Sequence, residues 1–165
     1  MVWLDIYSIA LIGHRRIDAH DHLEDRIEQI VRDHILQKEY VELYVGRNGD
    51  FDIMAASAIK RAQRATGRQN SSLILVQPYP TKDDAYYEKF YDEIWYPVEK
   101  TVHPKAAITK RNQWMIDHAR LLIAFVKDEK EGGASAALRY ADQKGVPILN
   151  LARQDEKTGI NNAMV

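Results

Sequence analysis

LLIAFVKDEKEGGASAALRYADQKGVPILNL, residues 121–151, is the stretch that decides the fold. Its first six residues, 121–126, form an apolar run with the length of a strand that is buried on both faces. Residues 134–144 place small and apolar side chains on one helix face: Ala134, Ala137, Leu138 and Ala141. Residues 146–151 return as a second strand. This strand–helix–strand unit predicts a parallel sheet, because parallel neighbours need a crossover connection.

The turn between the first strand and the helix is predicted to bind an anion. Gly132-Gly133 follows the charged loop 127–131 and permits a tight turn with close approach to the backbone. The first N–H groups of a helix lack intrahelical partners and carry the positive end of its dipole, which suits a phosphate. Gly145 fits the C′ position at the other end of the helix.

Length and composition indicate one globular domain. The chain has 165 residues, 45% hydrophobic and 28% charged, and we predict a single domain over 1–153 with a polar tail over 154–165. The net charge of −1 argues against a nucleic-acid or membrane surface. Without cysteine, disulfides and thiolate chemistry are excluded. No apolar run has the length of a membrane span and no basic region precedes the first apolar stretch, so a cytoplasmic protein is expected.

The rest of the chain repeats the alternation of strands and helices. Apolar runs predict five strands, at 6–12, 41–46, 71–77, 121–126 and 146–151. Helical periodicity predicts the helices between most of them, at 18–38, 51–66, 108–118 and 134–144. The pattern predicts an α/β, three-layer Rossmann-like fold with a parallel sheet in the order 3-2-1-4-5. Asn48-Gly49 also suits a hairpin turn, but the helical pattern that follows argues against one.

Three glycine turns follow predicted strands and are expected to meet at one edge of the sheet, where open α/β sheets bind ligands. They are Gly13-His14-Arg15, Gly46-Arg47-Asn48-Gly49 and Gly132-Gly133-Ala134-Ser135. For the first turn taken alone, a turn glycine beside solvated basic side chains is the alternative interpretation. A base or ring could also meet an aromatic wall, because residues 79–96 contain seven aromatic side chains. The alternative for that segment, with a short helix at 83–90 and a short strand at 92–96, is a cap over the sheet edge.

Polar residues at the predicted helix starts have structural and functional interpretations. Predicted caps are Asp18 or Asp21 for the first helix, Asp50 for the second and Thr109 for the helix that starts near 108. Asp52 either favours a helix dipole or reaches a ligand hydroxyl. Arg111 and Asn112 fall in a first helical turn, where a cation opposes the dipole. An anionic ligand resolves that conflict for Arg111, and so does an ordinary salt bridge.

Taken together, the motifs resemble the SLOG superfamily over roughly residues 5–151. The matching segments are GHR at 13–15, GRNGDFDIMAAS at 46–57, TKRNQWMIDHA at 109–119, EGGASAALRYA at 131–141 and KGVPILNL at 144–151. That superfamily includes Lonely-guy cytokinin-activating enzymes, molybdenum-cofactor carrier proteins, the DNA-processing protein A core and sensor domains of bacterial defence systems. The chain looks most like its small single-domain bacterial members.

The resemblance implies a domain that binds a nucleotide or nucleotide derivative through the glycine turns. The implied ligand-binding residues are Gly13, His14, Arg15, Gly46, Arg47, Asn48, Gly49, Asp52, Arg111, Asn112, Gly132, Gly133, Ala134 and Ser135. The N–H groups of Gly133, Ala134 and Ser135 are expected to hold the anionic part, with Arg111 sharing its charge. No metal site and no further cofactor is predicted.

The enzymatic branch of the superfamily carries a PGGxGTxxE motif and an upstream arginine in an RKxxM context. Arg111, Met115 and Gly132-Gly133 match those motifs. Four positions differ from the motif: Glu131 replaces its Pro, Ser135 its third Gly, Ala136 its Thr and Arg139 its final Glu. In the enzymes that glutamate assists cleavage of an N-glycosidic bond. We therefore expect binding or sensing without catalysis. If a reaction occurs, Arg111 and Glu131 are the candidate catalytic residues, and Asp52 is a further carboxylate that could act.

Three functional hypotheses follow. The first is a non-catalytic module that binds or senses a nucleotide-derived small molecule. The alternative is a hydrolase that cleaves the ribose–base bond of nucleotides. A single-stranded DNA binder is the third, and the near-neutral charge makes nucleic acid an unlikely partner by this criterion.

The chain is also expected to form at least a homodimer. Relatives in the superfamily commonly pair, and the aromatic residues of 86–96 supply an exposed apolar patch. Sedimentation at tens of micromolar should therefore give a species larger than the 19.1 kDa chain. A monomer at that concentration contradicts the prediction.

Overall fold

A computed structural model describes residues 3–18, 22–127 and 132–153. The strands are β1 Ile6–Gly13, β2 Tyr40–Val45, β3 Ser71–Val76, β4 Glu93–Trp95, β5 Leu121–Phe125 and β6 Ile148–Asn150. The helices are α1 Leu23–Gln37, α2 Asp50–Thr66, α3 Asp84–Tyr87, α4 Pro104–Asp117 and α5 Gly133–Lys144. The alternation of strands and helices is the one predicted from the apolar periodicity.

All six strands are parallel and lie in the order β4-β3-β2-β1-β5-β6. The predicted order 3-2-1-4-5 of the five strands is confirmed, and the short strand predicted at 92–96 adds β4 at the edge. Ile9 of the central β1 pairs with Leu43 on one side and Leu121 on the other. A hairpin across Asn48-Gly49 is excluded, because β2 runs parallel to its neighbours and α2 follows it directly.

The helices cover both faces of the sheet and divide the core in two. Ile9 and Leu11 face α1 and α2, whereas Ala10 and Ile12 face α4 and α5. A strand between two helical layers must be apolar on both faces, which is why the strands appear as continuous apolar runs. Helical periodicity predicts an apolar stripe on α1 made of Leu23, Ile27, Ile30, Val31 and Ile35. Four of these side chains are fully buried, and Ile30 is partly buried against the core. Each such side chain contributes about 1.5–3 kcal/mol through burial.

The predicted starts of α1 and α2 are corrected. Within the described residues, α1 begins at Leu23 after His22, which has a φ of 67°, so Asp18 lies before the helix and does not cap it. Asp21 lies outside the described residues. Gly49 occupies the cap position of α2, and Asp50 is the first helical residue. The Asp50 carboxylate accepts a hydrogen bond from the Ile17 N–H at 3.0 Å, so it secures the β1–α1 loop instead.

Helix α4 starts earlier than its apolar pattern indicated. Pro104 begins it, because proline fixes a helical φ and lacks an N–H that the first turn could not pair. The cap is His103, whose Nδ1 accepts from the Lys105 N–H at 3.1 Å, so Thr109 is not the cap. Arg111 therefore lies in the middle of α4, and the predicted conflict with the helix dipole was wrong.

Two other details differ from the sequence prediction. Helical periodicity predicts Ile53 on the apolar face of α2, but its side chain is 54% exposed. Strand β6 has three residues, fewer than the apolar run 146–151 predicted. None of the helices within the described ranges has the length and apolar content needed to cross a membrane. The division at residue 153, the homodimer and the cytoplasmic location stay predictions.

Asp84 organises the segment between β3 and β4. Its buried carboxylate accepts hydrogen bonds from Gln77 Nε2 at 2.6 Å, from the N–H and hydroxyl of Thr81 at 3.0 and 2.7 Å, and from the Tyr96 hydroxyl. Burial alone raises the pKa of Asp84, but the hydrogen bonds from Tyr96, Thr81 and Gln77 outweigh it and lower the pKa overall. One carboxylate thus fixes the loop on which α3 and β4 are built.

Asp84→Asn is expected to destabilise the protein by about 1–3 kcal/mol at pH 7, because the amide leaves buried donors unpaired. A carboxylate with a lowered folded pKa stabilises fully above its unfolded pKa, and loses that effect as the pH falls through the folded value. The difference between wild type and variant should therefore shrink on acidification below about pH 4. Urea unfolding measures both effects. The exposed neighbour provides the control Asp83→Asn, which should change stability by less than about 0.5 kcal/mol; an equal loss in both variants contradicts the prediction.

Candidate functional site

A cavity of about 280 Å³ lies at the carboxyl edge of the sheet, beyond the ends of β1, β2 and β5. The β1–α1, β2–α2 and β5–α5 connections and one face of α4 form its walls. Its described lining comprises Leu11, Ile12, Gly13, His14, Arg15, Gly46, Asn48, Gly49, Asp52, Ile108, Arg111, Asn112, Met115, Gly132, Gly133 and Ala134. The three glycine turns predicted to meet at this edge therefore do meet.

Arg111 is the buried cation of the cavity. Its side chain is 3% exposed, and its guanidinium lies against the backbone of Gly46. It donates from Nη1 to the Val76 carbonyl at 2.9 Å, from Nη2 to Asn48 Oδ1 at 2.8 Å and from Nε to Asn112 Oδ1 at 2.9 Å. Burial lowers the pKa of Arg111, and the charge of Asp52 opposes this shift. A guanidinium stays protonated in such a site, so the cavity holds a fixed positive charge.

Asp52, in the first turn of α2, supplies a carboxylate to the cavity. Its Oδ2 accepts from the Asn48 N–H at 2.8 Å, and it forms no direct ion pair in the described structure. Burial raises the pKa of Asp52, and the Asn48 hydrogen bond and the charges of Arg111, Arg15 and Arg47 offset this only in part. The cavity thus combines a buried cation with a partly buried acid.

The first two glycine turns pack against the chain itself. A Cβ at Gly13 would lie 2.4 Å from the Phe51 ring, and one at Gly49 would lie 2.4 Å from Arg15 Cα. The Asp50 N–H also donates to the Arg15 carbonyl at 2.8 Å, which joins the two turns. Internal packing therefore accounts for glycine at these positions.

His14 connects the first turn to β5. Its ring Nε2 accepts from the Lys127 backbone N–H at 2.9 Å, and the His14 backbone N–H donates to the Phe125 carbonyl at 3.2 Å. The accepting Nε2 carries no proton, so the neutral ring is protonated at Nδ1. These bonds hold the imidazole at the rim of the cavity.

The β5–α5 turn differs from the other two. Gly132 has a φ of 99°, a conformation that favours glycine, and it directly precedes α5. At Gly133 a Cβ would meet no atom of the described residues within 4 Å, and its φ lies outside the left-handed region. Nothing in the described packing therefore demands glycine at 133, and the start of α5 is open to the cavity.

Twelve of the fourteen predicted ligand-binding residues line this cavity. Arg47 does not: its guanidinium lies 4.1 Å from the Tyr87 ring centre and 3.4 Å from the Tyr91 hydroxyl. Ser135 is buried in the first turn of α5 but is not part of the lining. Glu131 lies outside the described residues.

The sequence analysis missed four apolar lining residues: Leu11, Ile12, Ile108 and Met115. A signal existed for the last two, because Ile108, Arg111 and Met115 recur at helical spacing on one face of α4. Of the two interpretations of residues 79–96, the aromatic wall is not supported, since none of these residues is in the cavity lining. Tyr87 and Tyr91 pack toward the core beside α2, so this segment is a cap over the sheet edge.

No protein-family model matches the sequence, and no curated protein matches it significantly. Solved structures do match. DNA processing protein A from Helicobacter pylori, described by its single-stranded DNA binding mode, shares 19% identity with a TM-score of 0.58, covering 94% of this chain and 73% of that chain. The molybdenum cofactor carrier protein of Chlamydomonas reinhardtii shares 16% identity with a TM-score of 0.57, covering 97% and 85%. The chain therefore shares the fold of these proteins, as its resemblance to the SLOG superfamily implied.

This likeness corrects one expectation. Net charge led to the prediction that nucleic acid is an unlikely partner, but a protein with this fold is described as binding single-stranded DNA. Overall charge is a poor criterion here, because binding depends on the local potential of a site. The cavity carries Arg111 and Arg15 although the whole chain has a net charge of −1.

Gly46→Ala is expected to displace the Arg111 guanidinium, because the new Cβ would lie 2.6 Å from Nη1 and 2.8 Å from Cζ. The lost hydrogen bonds should lower the free energy of unfolding by about 1–3 kcal/mol in urea titrations. In an Arg111→Ala background the same substitution should cost much less, and the double-mutant cycle measures this coupling. Gly133→Ala is the control, with stability unchanged or raised by about 0.4–1 kcal/mol. If the changes in unfolding free energy caused by the Gly46 and Arg111 substitutions are additive, the prediction is contradicted.

Proposed function

We propose that the protein binds a nucleotide or nucleotide-derived molecule in the cavity at the carboxyl edge of the sheet. The observation that carries the proposal is the convergence of a buried guanidinium and an open helix N-terminus on one cavity. Both favour an anion, one through a fixed charge and the other through backbone donors and the helix dipole. Their combination at a sheet edge built from glycine turns matches the way open α/β folds hold phosphates.

The phosphate sits at the start of α5 in this proposal. The N–H groups of Gly133 and Ala134 belong to the first turn, where helical hydrogen bonding supplies no partner. The absence of a side chain at Gly133 lets a phosphate oxygen approach the backbone closely. Packing explains glycine at 13, 46 and 49 without a ligand, so residue 133 is the informative position.

Arg111 shares the charge of the phosphate. Among the described residues, its hydrogen bonds to Val76, Asn48 and Asn112 use three of the five guanidinium N–H donors, and we assign the other two to the ligand. Because the same bonds hold the guanidinium in place, the cation is preorganised and loses little freedom on binding. Ile108 and Met115, on the same face of α4, offer an apolar surface to a ring.

Hydrolysis of an N-glycosidic bond is the alternative function. Arg139, which replaces the motif glutamate, is exposed on α5 and lies outside the described cavity lining. Within the described residues the lining includes one carboxylate, Asp52. A hydrolase would have to use that group or Glu131 as its acid or base, so we propose binding as the primary role.

The decisive experiment is incubation of the purified protein with each nucleoside 5′-monophosphate, followed by chromatography and calorimetry. Binding without release of free base is the expected result, and free base in the product would establish the hydrolase. Mass spectrometry of co-purifying small molecules identifies the natural ligand. A single-stranded oligodeoxynucleotide, added in parallel, tests for a nucleic-acid partner.

Arg111→Ala is expected to weaken nucleotide binding by about tenfold to a hundredfold, because it removes a charge-assisted hydrogen bond worth about 1.5–3 kcal/mol. Gly133→Val should weaken binding by blocking backbone approach without any change of charge. Circular dichroism must show both variants folded, and Gly133→Ala separates the effect of bulk from the loss of glycine. If both folded variants bind as tightly as wild type, the phosphate lies elsewhere.

A further inference from the structure

We infer that Asp52 is the specificity-determining residue of this site and that it accepts a hydrogen bond from a sugar hydroxyl of the ligand. The inference rests on the proposed function and names the ligand class more narrowly, as a ribonucleotide or another phosphorylated sugar with free hydroxyls. One carboxylate oxygen of Asp52, Oδ2, is occupied by the Asn48 N–H at 2.8 Å. The other, Oδ1, has no hydrogen-bond partner among the described residues, although the side chain borders the cavity.

A half-satisfied carboxylate at a cavity wall needs a donor. Arg111, Arg15 and Arg47 surround Asp52 closely enough to shift its titration, yet none forms a direct ion pair with it in the described structure. A phosphate cannot serve, because two anions repel. Hydroxyl and N–H groups are the neutral ligand groups that donate, and a carboxylate binds them more strongly than a neutral acceptor does.

The fold places the acid and the proposed phosphate subsite on different walls of one cavity, since Asp52 and Gly133 both line it. Asp52 lies in the first turn of α2 and Gly133 in the first turn of α5. These two helices cover opposite faces of the sheet. A ligand that meets both walls must therefore carry its anionic group and its hydrogen-bond donor on different atoms, as a phosphorylated sugar does.

The position of Arg111 also places the sugar of the ligand, next to the phosphate, near Asp52. Asn48 joins the two groups, since its N–H donates to Asp52 and its Oδ1 accepts from Arg111 Nη2 at 2.8 Å. When the phosphate of a ligand binds Arg111, the part of the ligand attached to that phosphate therefore lies near Asp52. In a nucleoside 5′-monophosphate that neighbour is the sugar, and the base lies farther from the phosphate. The geometry thus favours a sugar hydroxyl over a base amino group.

The test compares matched pairs of nucleoside 5′-monophosphates that differ only in the sugar, with ribose or 2′,3′-dideoxyribose. Wild type should bind the ribose form at least tenfold more tightly by calorimetry. In Asp52→Asn the ribose form should bind more weakly and the dideoxy form more tightly, because the variant loses both the charge-assisted bond and the repulsion of phosphate. The 2′-deoxy and 3′-deoxy forms then show which hydroxyl Asp52 binds.

Asp33→Asn, a change at an exposed position of α1, is the control and should leave the affinities for the ribose and dideoxy forms unchanged.

The outcomes separate this inference from the proposed function. Equal wild-type affinity for ribose and dideoxy forms overturns the inference and leaves nucleotide binding standing. Parallel weakening of both forms in Asp52→Asn also overturns it, since that result indicates a purely structural role. If wild type binds none of the nucleotides, both the inference and the proposed function are wrong.

Discussion

The hydrogen bonds of one buried guanidinium hold the carboxyl edge of this sheet together. Arg111 reaches from α4 across the sheet face to the end of β3, where it donates to the Val76 carbonyl, and to the β2–α2 turn through Asn48. A buried cation is costly unless its donors are paired, so each of these bonds constrains a separate element. Gly46 is part of the same constraint, because the guanidinium occupies the space that a Cβ would fill. The shape of the cavity follows from this arrangement.

The glycines of the site fall into two groups with different physical reasons. Those at 13, 46 and 49 make room for Phe51, Arg111 and the Arg15 backbone, so they would be required in a protein with no ligand. The glycine at 133 faces open space in the described structure and has an ordinary φ. Only this second kind of glycine distinguishes a binding turn from a well-packed turn, and it marks α5 as the anion side of the cavity.

The polarity of the cavity limits what can bind there. One side offers backbone donors and a guanidinium, and the other offers the carboxylate of Asp52. A simple inorganic anion would satisfy the first side and be repelled by the second, whereas a molecule with a phosphate and a hydroxyl satisfies both. Two solved structures that share the fold are described with different ligands, single-stranded DNA and the molybdenum cofactor. The fold therefore does not fix the ligand, and the side chains of the cavity must do so.

The sequence by itself determined the fold and the edge at which the site lies. Continuous apolar runs, helical periodicity and the right-handed crossover rule give the parallel sheet with its central β1, because these patterns depend on local spacing and on burial of both sheet faces. The same reasoning predicts that the glycine turns meet, since parallel strands bring their carboxyl ends to one edge.

Contacts between elements distant in the chain could not be predicted in this way. The role of Arg111 depended on a carbonyl 35 residues away in β3. The start of α4 is a different case, because Pro104 marks it locally and the apolar pattern alone overlooked that signal. Packing between separate elements places Arg47 on Tyr87 and not in the cavity. It also leaves one oxygen of Asp52 without a hydrogen-bond partner among the described residues. The reason is that side-chain direction at the end of a strand is set by the neighbours it meets in three dimensions.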